Sequence, residues 1–73
     1  MDNRESIVKF GLRVRKLRED KNMTQQALAD DAEVAKTTIQ RIELARMVTN
    51  LDVILSLARA LDVSPEDLFK KEV

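Results

Sequence analysis

The residues best equipped for chemistry sit close together, in the segment KTTIQRIEL from Lys36 to Leu44. At 3.6 residues per turn, Ile39 and Ile42 share one side of a helix, while Lys36, Thr37, Gln40 and Arg41 share the other. Such an outer face carries cations, a hydroxyl and a carboxamide that match the donors and acceptors of base edges and phosphates. Catalysis is poorly served. There is no His and no Cys, and a single Gly leaves no Gly-rich phosphate loop. Asp30 and Asp31 could attract a cation weakly, but two adjacent carboxylates do not make a metal site. No catalytic residue, metal ligand or cofactor is expected.

These side chains need elements that position them. Thr24 offers an oxygen to cap a helix beginning at Gln25. Leu28, Ala29 and Ala32 then share one face, with the alanines small enough to admit a neighbouring helix. A break follows at Ala32-Glu33-Val34, and the Lys36 helix begins. Short helix, tight turn and a second helix with a polar outer face form the helix-turn-helix pattern, whose second helix can enter the major groove of DNA. Residues 24–44 delimit this motif.

The motif resembles the Cro/phage-repressor helix-turn-helix family, also called the XRE family. The resemblance runs through T-Q-Q-A-L-A from Thr24, T-T-I from Thr37, and R-I-E at Arg41-Ile42-Glu43. It extends to Leu17-Arg18 and to LARALDVSPEDL from Leu57 to Leu68, covering about Phe10 to Phe69. It implies an all-α, five-helix, lambda-repressor-like domain, with helices at about 4–21, 25–32, 36–44, 51–62 and 66–71. Gln25 would then hold the DNA backbone, where amides and dipole at a helix start favour phosphate, and would also brace a base-contacting side chain. Lys36 and Thr37 would meet base edges, Gln40 and Arg41 would reach a base or a phosphate, Thr38 and Arg46 would meet the backbone, and Thr24 would join the DNA-binding set. The family pairs an Arg of the first helix with the Glu closing the recognition helix. Arg18 and Glu43 stand at those places and are expected to form a partly buried structural ion pair.

The chain departs from the family pattern at several points. Glu33 replaces the usual turn glycine, and a positive φ there would cost about 1–2 kcal/mol. Ala35 replaces the hydroxyl cap of the recognition helix, a loss of about 1 kcal/mol. Leu44-Ala45 and Thr49 stand where Arg-Gly and Pro are common.

With 73 residues the chain reads as one domain, residues 1–73, with 36% charged residues, one Gly and one Pro. Thirteen basic residues balance thirteen acidic ones, unlike the basic surplus usual in nucleic-acid binders. The distribution is uneven. Residues 1–23 hold seven basic and four acidic groups, and residues 24–35 only Asp30, Asp31 and Glu33. Lys36, Arg41 and Arg46 face a lone Glu43 across residues 36–50, and residues 51–73 are net acidic. No apolar run approaches the ~20 residues that span a bilayer. The polar N-terminus is unlike a signal peptide, and the lack of Cys fits a reducing compartment. A cytoplasmic protein of prokaryotic or phage type is expected, with neither a membrane nor a small-molecule ligand as partner.

In the first helix Ile7, Phe10, Val14 and Leu17 make the buried stripe, Gly11 suggests a close helix contact, and Asn22 can end the helix in the left-handed conformation. In the fourth, capped by Asn50, Leu51, Ile54, Leu57, Ala58 and Leu61 suffice for the core. Ser64, Pro65 and Asp67 open the last helix with a capping-box-like arrangement, and Leu68 points inward. Val53, Leu55, Phe69, Val73, Met47 and Val48 are then left over. This surplus within residues 47–73 points to a dimer interface. A two-fold dimer would set two recognition helices about 34–36 Å apart, one turn of DNA.

The expected function is a sequence-specific transcriptional regulator that binds double-stranded DNA as a homodimer on a palindromic operator. The alternative is a protein-interaction module such as an antitoxin, or the controller protein of a restriction-modification operon.

Overall fold

The computed structural model describes residues 3–70. Four α-helices appear among them: α1 (Arg4–Asp20), α2 (Gln25–Ala32), α3 (Lys36–Glu43) and α4 (Leu51–Ala60). A short 3-10 helix, Pro65–Phe69, follows, and the described residues contain no strand. None of the helices described is long and apolar enough to cross a membrane.

The expectation of five α-helices is corrected to four. The segment expected as a helix over 66–71 is a five-residue 3-10 helix, closed by Lys70 in an extended conformation. Residue 71 and Val73 lie outside the described residues. The Asp67 carboxylate accepts from the Ser64 amide at 3.1 Å and from its hydroxyl at 3.0 Å, tightening the opening turn. A single tightened turn propagates poorly beyond a few residues. The fourth helix stops at Ala60 instead of Asp62, because Asp62 turns to φ 56°.

All four α-helices end in the same way. Asn22, Glu33, Ala45 and Asp62 adopt φ values of 56–58°, although none is glycine. The residue after each donates its amide five positions back: Met23 to Arg18, Val34 to Ala29, Arg46 to Arg41 and Val63 to Ala58. This is the Schellman closure, which satisfies carbonyls orphaned at a helix end. Met23, Val34 and Val63 also pack against the core, the apolar contact that usually accompanies the motif.

The core joins Val14 of α1, Leu28, Ala29 and Ala32 of α2, Ile39 and Ile42 of α3, and Leu57 and Ala58 of α4, with Leu61 and Leu68. Phe10 and Leu17 flank it from α1. Each fully buried leucine or isoleucine contributes about 1.5–3 kcal/mol of transfer free energy. That burial holds eight-residue helices such as α2 and α3 in place, which are too short to persist alone.

Gly11 is buried where α1 crosses the end of α3. A β-carbon there would collide with the Ile42 carbonyl oxygen and lie 3.2 Å from that of Glu43. The single glycine of the chain is thus used for helix approach, not for a turn.

In α4 the apolar assignment needs correction. Leu51, expected in the core, is 68% exposed, whereas Val53 and Met47, expected outside it, are half-buried and pack against it. The Asn50 side chain accepts from the Val53 amide at 2.9 Å and sets the phase of the first turn. That phase turns Leu51 and Asp52 outward and brings Val53 and Ile54 toward the core.

Candidate nucleic-acid interface

The outer face of α3 is built from its start. Ala35 is extended, at φ −72° and ψ 147°, and offers no side-chain cap, so the first amides of α3 have none. Lys36, Thr37 and Arg41 are exposed, and Thr38 and Gln40 are half-buried. Their backs are secured by Ile39 and Ile42, at 0% and 2% exposure. The side chains of Lys36 and Arg41 make no hydrogen bond or ion pair among the described residues, and both are exposed.

The next turn back belongs to α2. Thr24 is exposed at its N-cap, and its hydroxyl accepts from the Ala27 amide at 3.0 Å. Gln25 follows, and its Nε2 donates to Glu43 Oε1 at 3.2 Å. Its carboxamide therefore braces Glu43, a contact across two helices that the sequence did not disclose. Asp30, Asp31 and Glu33 are exposed along the far end of α2 and its turn, so an acidic rim adjoins the cationic face.

Glu43 is the buried charge on which this arrangement rests, at 8% exposure. Arg18 holds it bidentately, Nε to Oε2 at 2.7 Å and Nη2 to Oε1 at 3.0 Å. The third nitrogen of the fork, Nη1, donates to the Met23 carbonyl at 2.8 Å. The hydrogen bond to Glu43 raises the Arg18 pKa above its ordinary value, against the opposing effect of desolvation. One guanidinium thus ties the end of α1, the entry to α2 and the end of α3 together. A planar fork suits that task better than an ammonium would.

Beyond α3, Arg46 is exposed in the connecting loop. Arg4 of α1 donates Nη1 to the Ala45 carbonyl and clamps that loop from the other side. Sequence reasoning missed Arg4, because nothing in the spacing of residues 41 positions apart announces the contact.

The residues assigned to a dimer interface separate into two groups. Val48, Leu55 and Phe69 are exposed at 77%, 46% and 61%, while Met47 and Val53 belong to the flank of the core. Leu51 joins the exposed set. An uncharged groove of about 180 Å³ lies beside it, lined by Ile7, Phe10, Ile42, Val48, Ile54 and Phe69 among others.

Comparison with known proteins places this geometry. A family model described as helix-turn-helix matches residues 14–68. The control protein C.BamHI of Bacillus amyloliquefaciens is 40% identical over 60 residues, which span 81% of this chain and 74% of that protein. The restriction-modification controller protein C.AhdI of Aeromonas hydrophila superposes with a TM-score of 0.87 at 37% identity, covering 89% of this chain and 98% of that one. The P22 c2 repressor, solved in complex with a synthetic operator, superposes with a TM-score of 0.78 at 30% identity, covering 86% and 96%.

Proposed function

The chain belongs to the helix-turn-helix family, and from that premise we propose that it is a sequence-specific regulator of transcription that inserts α3 into the DNA major groove. The observation that carries this reading is the division of α3, with Lys36, Thr37 and Arg41 outward and Ile39 and Ile42 locked inward. In this docking geometry the first turn of the second helix meets base edges. Lys36 donates to guanine O6 or N7, the Thr37 methyl meets a thymine methyl, and Gln40 and Arg41 extend the contact one turn further. Thr24, Thr38, Arg46 and the uncapped amides of α3 hold phosphates. Gln25 adds the amide of its own backbone at the start of α2, its carboxamide being engaged with Glu43.

The protein acts as a homodimer. Val48, Leu51, Leu55 and Phe69 supply an uncharged apolar surface for a two-fold contact. A dimer repeats the reading head about one helical turn away, on a partly palindromic operator. Acting on chromosomal or phage DNA makes the site of action cytoplasmic. The resemblance to C.BamHI and C.AhdI favours one role among regulators, control of a restriction-modification operon.

A binding titration against a randomised duplex pool at two salt concentrations, with sedimentation to count subunits, tests this. A palindrome with half-sites about one turn apart is expected. Binding that is uniform over sequence and lost with salt would overturn the reading.

A further inference from the structure

The open side of α4 carries an ordered row of side chains. At about 3.6 residues per turn, Leu51, Leu55, Arg59, Asp52 and Ser56 follow one another around the helix, in that order. The two exposed leucines are therefore neighbours, and the charged pair lies along one edge of them, not between them. Their other edge adjoins the uncharged groove lined by Val48, Ile54 and Phe69. Asp52 and Arg59 are both exposed, and their side chains make no hydrogen bond or ion pair among the described residues. Two turns of helix separate them, about 10 Å, too far to pair with each other. Resting on the homodimer reading above, we propose that two copies join antiparallel through α4, centred on Leu55. Asp52 of each copy then pairs with the partner's Arg59.

Symmetry selects this arrangement. The midpoint between positions 52 and 59 falls between Leu55 and Ser56. A two-fold axis crossing the helices there lays α4 antiparallel on its copy and keeps both charged edges on the same side. Asp52 faces the partner's Arg59, Arg59 faces the partner's Asp52, and the leucines close beside them. A two-fold axis running along the helices gives a parallel pair instead. It carries the charged edges to opposite sides, where neither ion meets its opposite.

The leucines and the charges do different work. Burial of Leu51 and Leu55 supplies the attraction. Exposed ion pairs add little affinity, but they fix register and refuse pairings that set like charges together. Asp52 stands in the first turn of α4 and Arg59 in the last, so each also complements the dipole of its own helix. That local benefit explains the sign at each end. It does not explain why both charges share the edge beside the leucines, and it is separable by experiment.

Sedimentation of the full chain over a concentration series is the test. Asp52→Arg and Arg59→Asp each set like charges against each other twice per dimer. Each alone should weaken self-association by about tenfold or more. Mixed in equal amounts, the two variants should form a heterodimer near the parent's strength, since every Arg then meets an Asp. The double variant Asp52→Arg/Arg59→Asp should self-associate as the parent does. The dipole penalty persists in the mixture and in the double variant, so recovery there comes only from pairing across the contact. Both positions are exposed, and unchanged helicity of each variant checks its folding. A parent chain that stays monomeric overturns the homodimer reading and this inference with it. A dimeric parent overturns the antiparallel register alone if the single variants associate equally well, or if neither the mixture nor the double variant recovers.

Discussion

Gly11 of α1 rests directly against the Ile42 carbonyl at the end of α3, with no space for a β-carbon between them. The contact fixes how closely the first helix approaches α3, the helix proposed to read DNA. Helix propensity alone predicts that Gly11→Ala adds about 1 kcal/mol of stability. The collision is with backbone, which cannot rotate away, so a net loss of about 1–3 kcal/mol is expected. Urea denaturation decides the matter, and a more stable alanine variant would show that α1 can shift at no cost.

Removing Arg18 leaves Glu43 buried without its cation. Arg18→Met should cost about 3 kcal/mol, the range for breaking rather than replacing a buried pair. The double variant Arg18→Met/Glu43→Met should recover much of the loss, because the desolvated charge is gone. An unaltered melting temperature in the single variant would mean that Gln25 and the Met23 carbonyl suffice without the pair.

Glu33 holds φ 58° in the turn between α2 and α3. Glycine adopts that conformation freely, at the expense of a more disordered unfolded chain. Glu33→Gly should therefore stabilise the fold by about 0.5–1 kcal/mol. Since the side chain is exposed, DNA affinity should change little. A destabilised glycine variant would show that the Glu33 side chain holds the turn.

Hydrogen bonds from Lys70 and from the Ser64 side chain and amide hold the Asp67 carboxyl down to about 2, against an ordinary 3.8. A depressed carboxylate stabilises the fold above its unfolded value and loses that contribution as pH falls toward the folded one. The attachment of the 3-10 helix should thus weaken between about 3.8 and about 2, and Asp67→Asn should abolish that part of the pH dependence. Carboxyl titration by NMR measures it. A midpoint near the ordinary value would mean that the Lys70 and Ser64 contacts are absent in solution.

Lys36→Ala together with Arg41→Ala should erase discrimination between operator and random duplex. Each well-made base contact of this type contributes about 1–3 kcal/mol to specificity. Both side chains are exposed and make no hydrogen bond or ion pair among the described residues, so stability should move by no more than about 0.5 kcal/mol. If the double variant still separates the two duplexes, α3 is not the reading helix.

Much of this protein is legible in its residues because the signals are local. Thr24 and Asn50 cap the helices they precede, Ile39 and Ile42 mark the inner side of α3, and Pro65 opens the last element. The resemblance to repressors rested on the same short motifs. Misplacements arose where two local readings were equally good. Either Leu51 or Val53 could have lined the core, and only the turn set by Asn50 against the rest of the fold chose Val53.

The chain alone determined the helical periods, the break at Glu33 and the polar edge of α3, since each depends on neighbours within a few positions. Tertiary structure decided the rest. Gln25 braces Glu43, Arg4 clamps Ala45 and Gly11 admits Ile42, all pairings between residues far apart in sequence. The stacking of Phe69 on Phe10 likewise exists only because the 3-10 helix folds back onto α1. Such contacts depend on how the helices pack, and packing is a property of all the helices together.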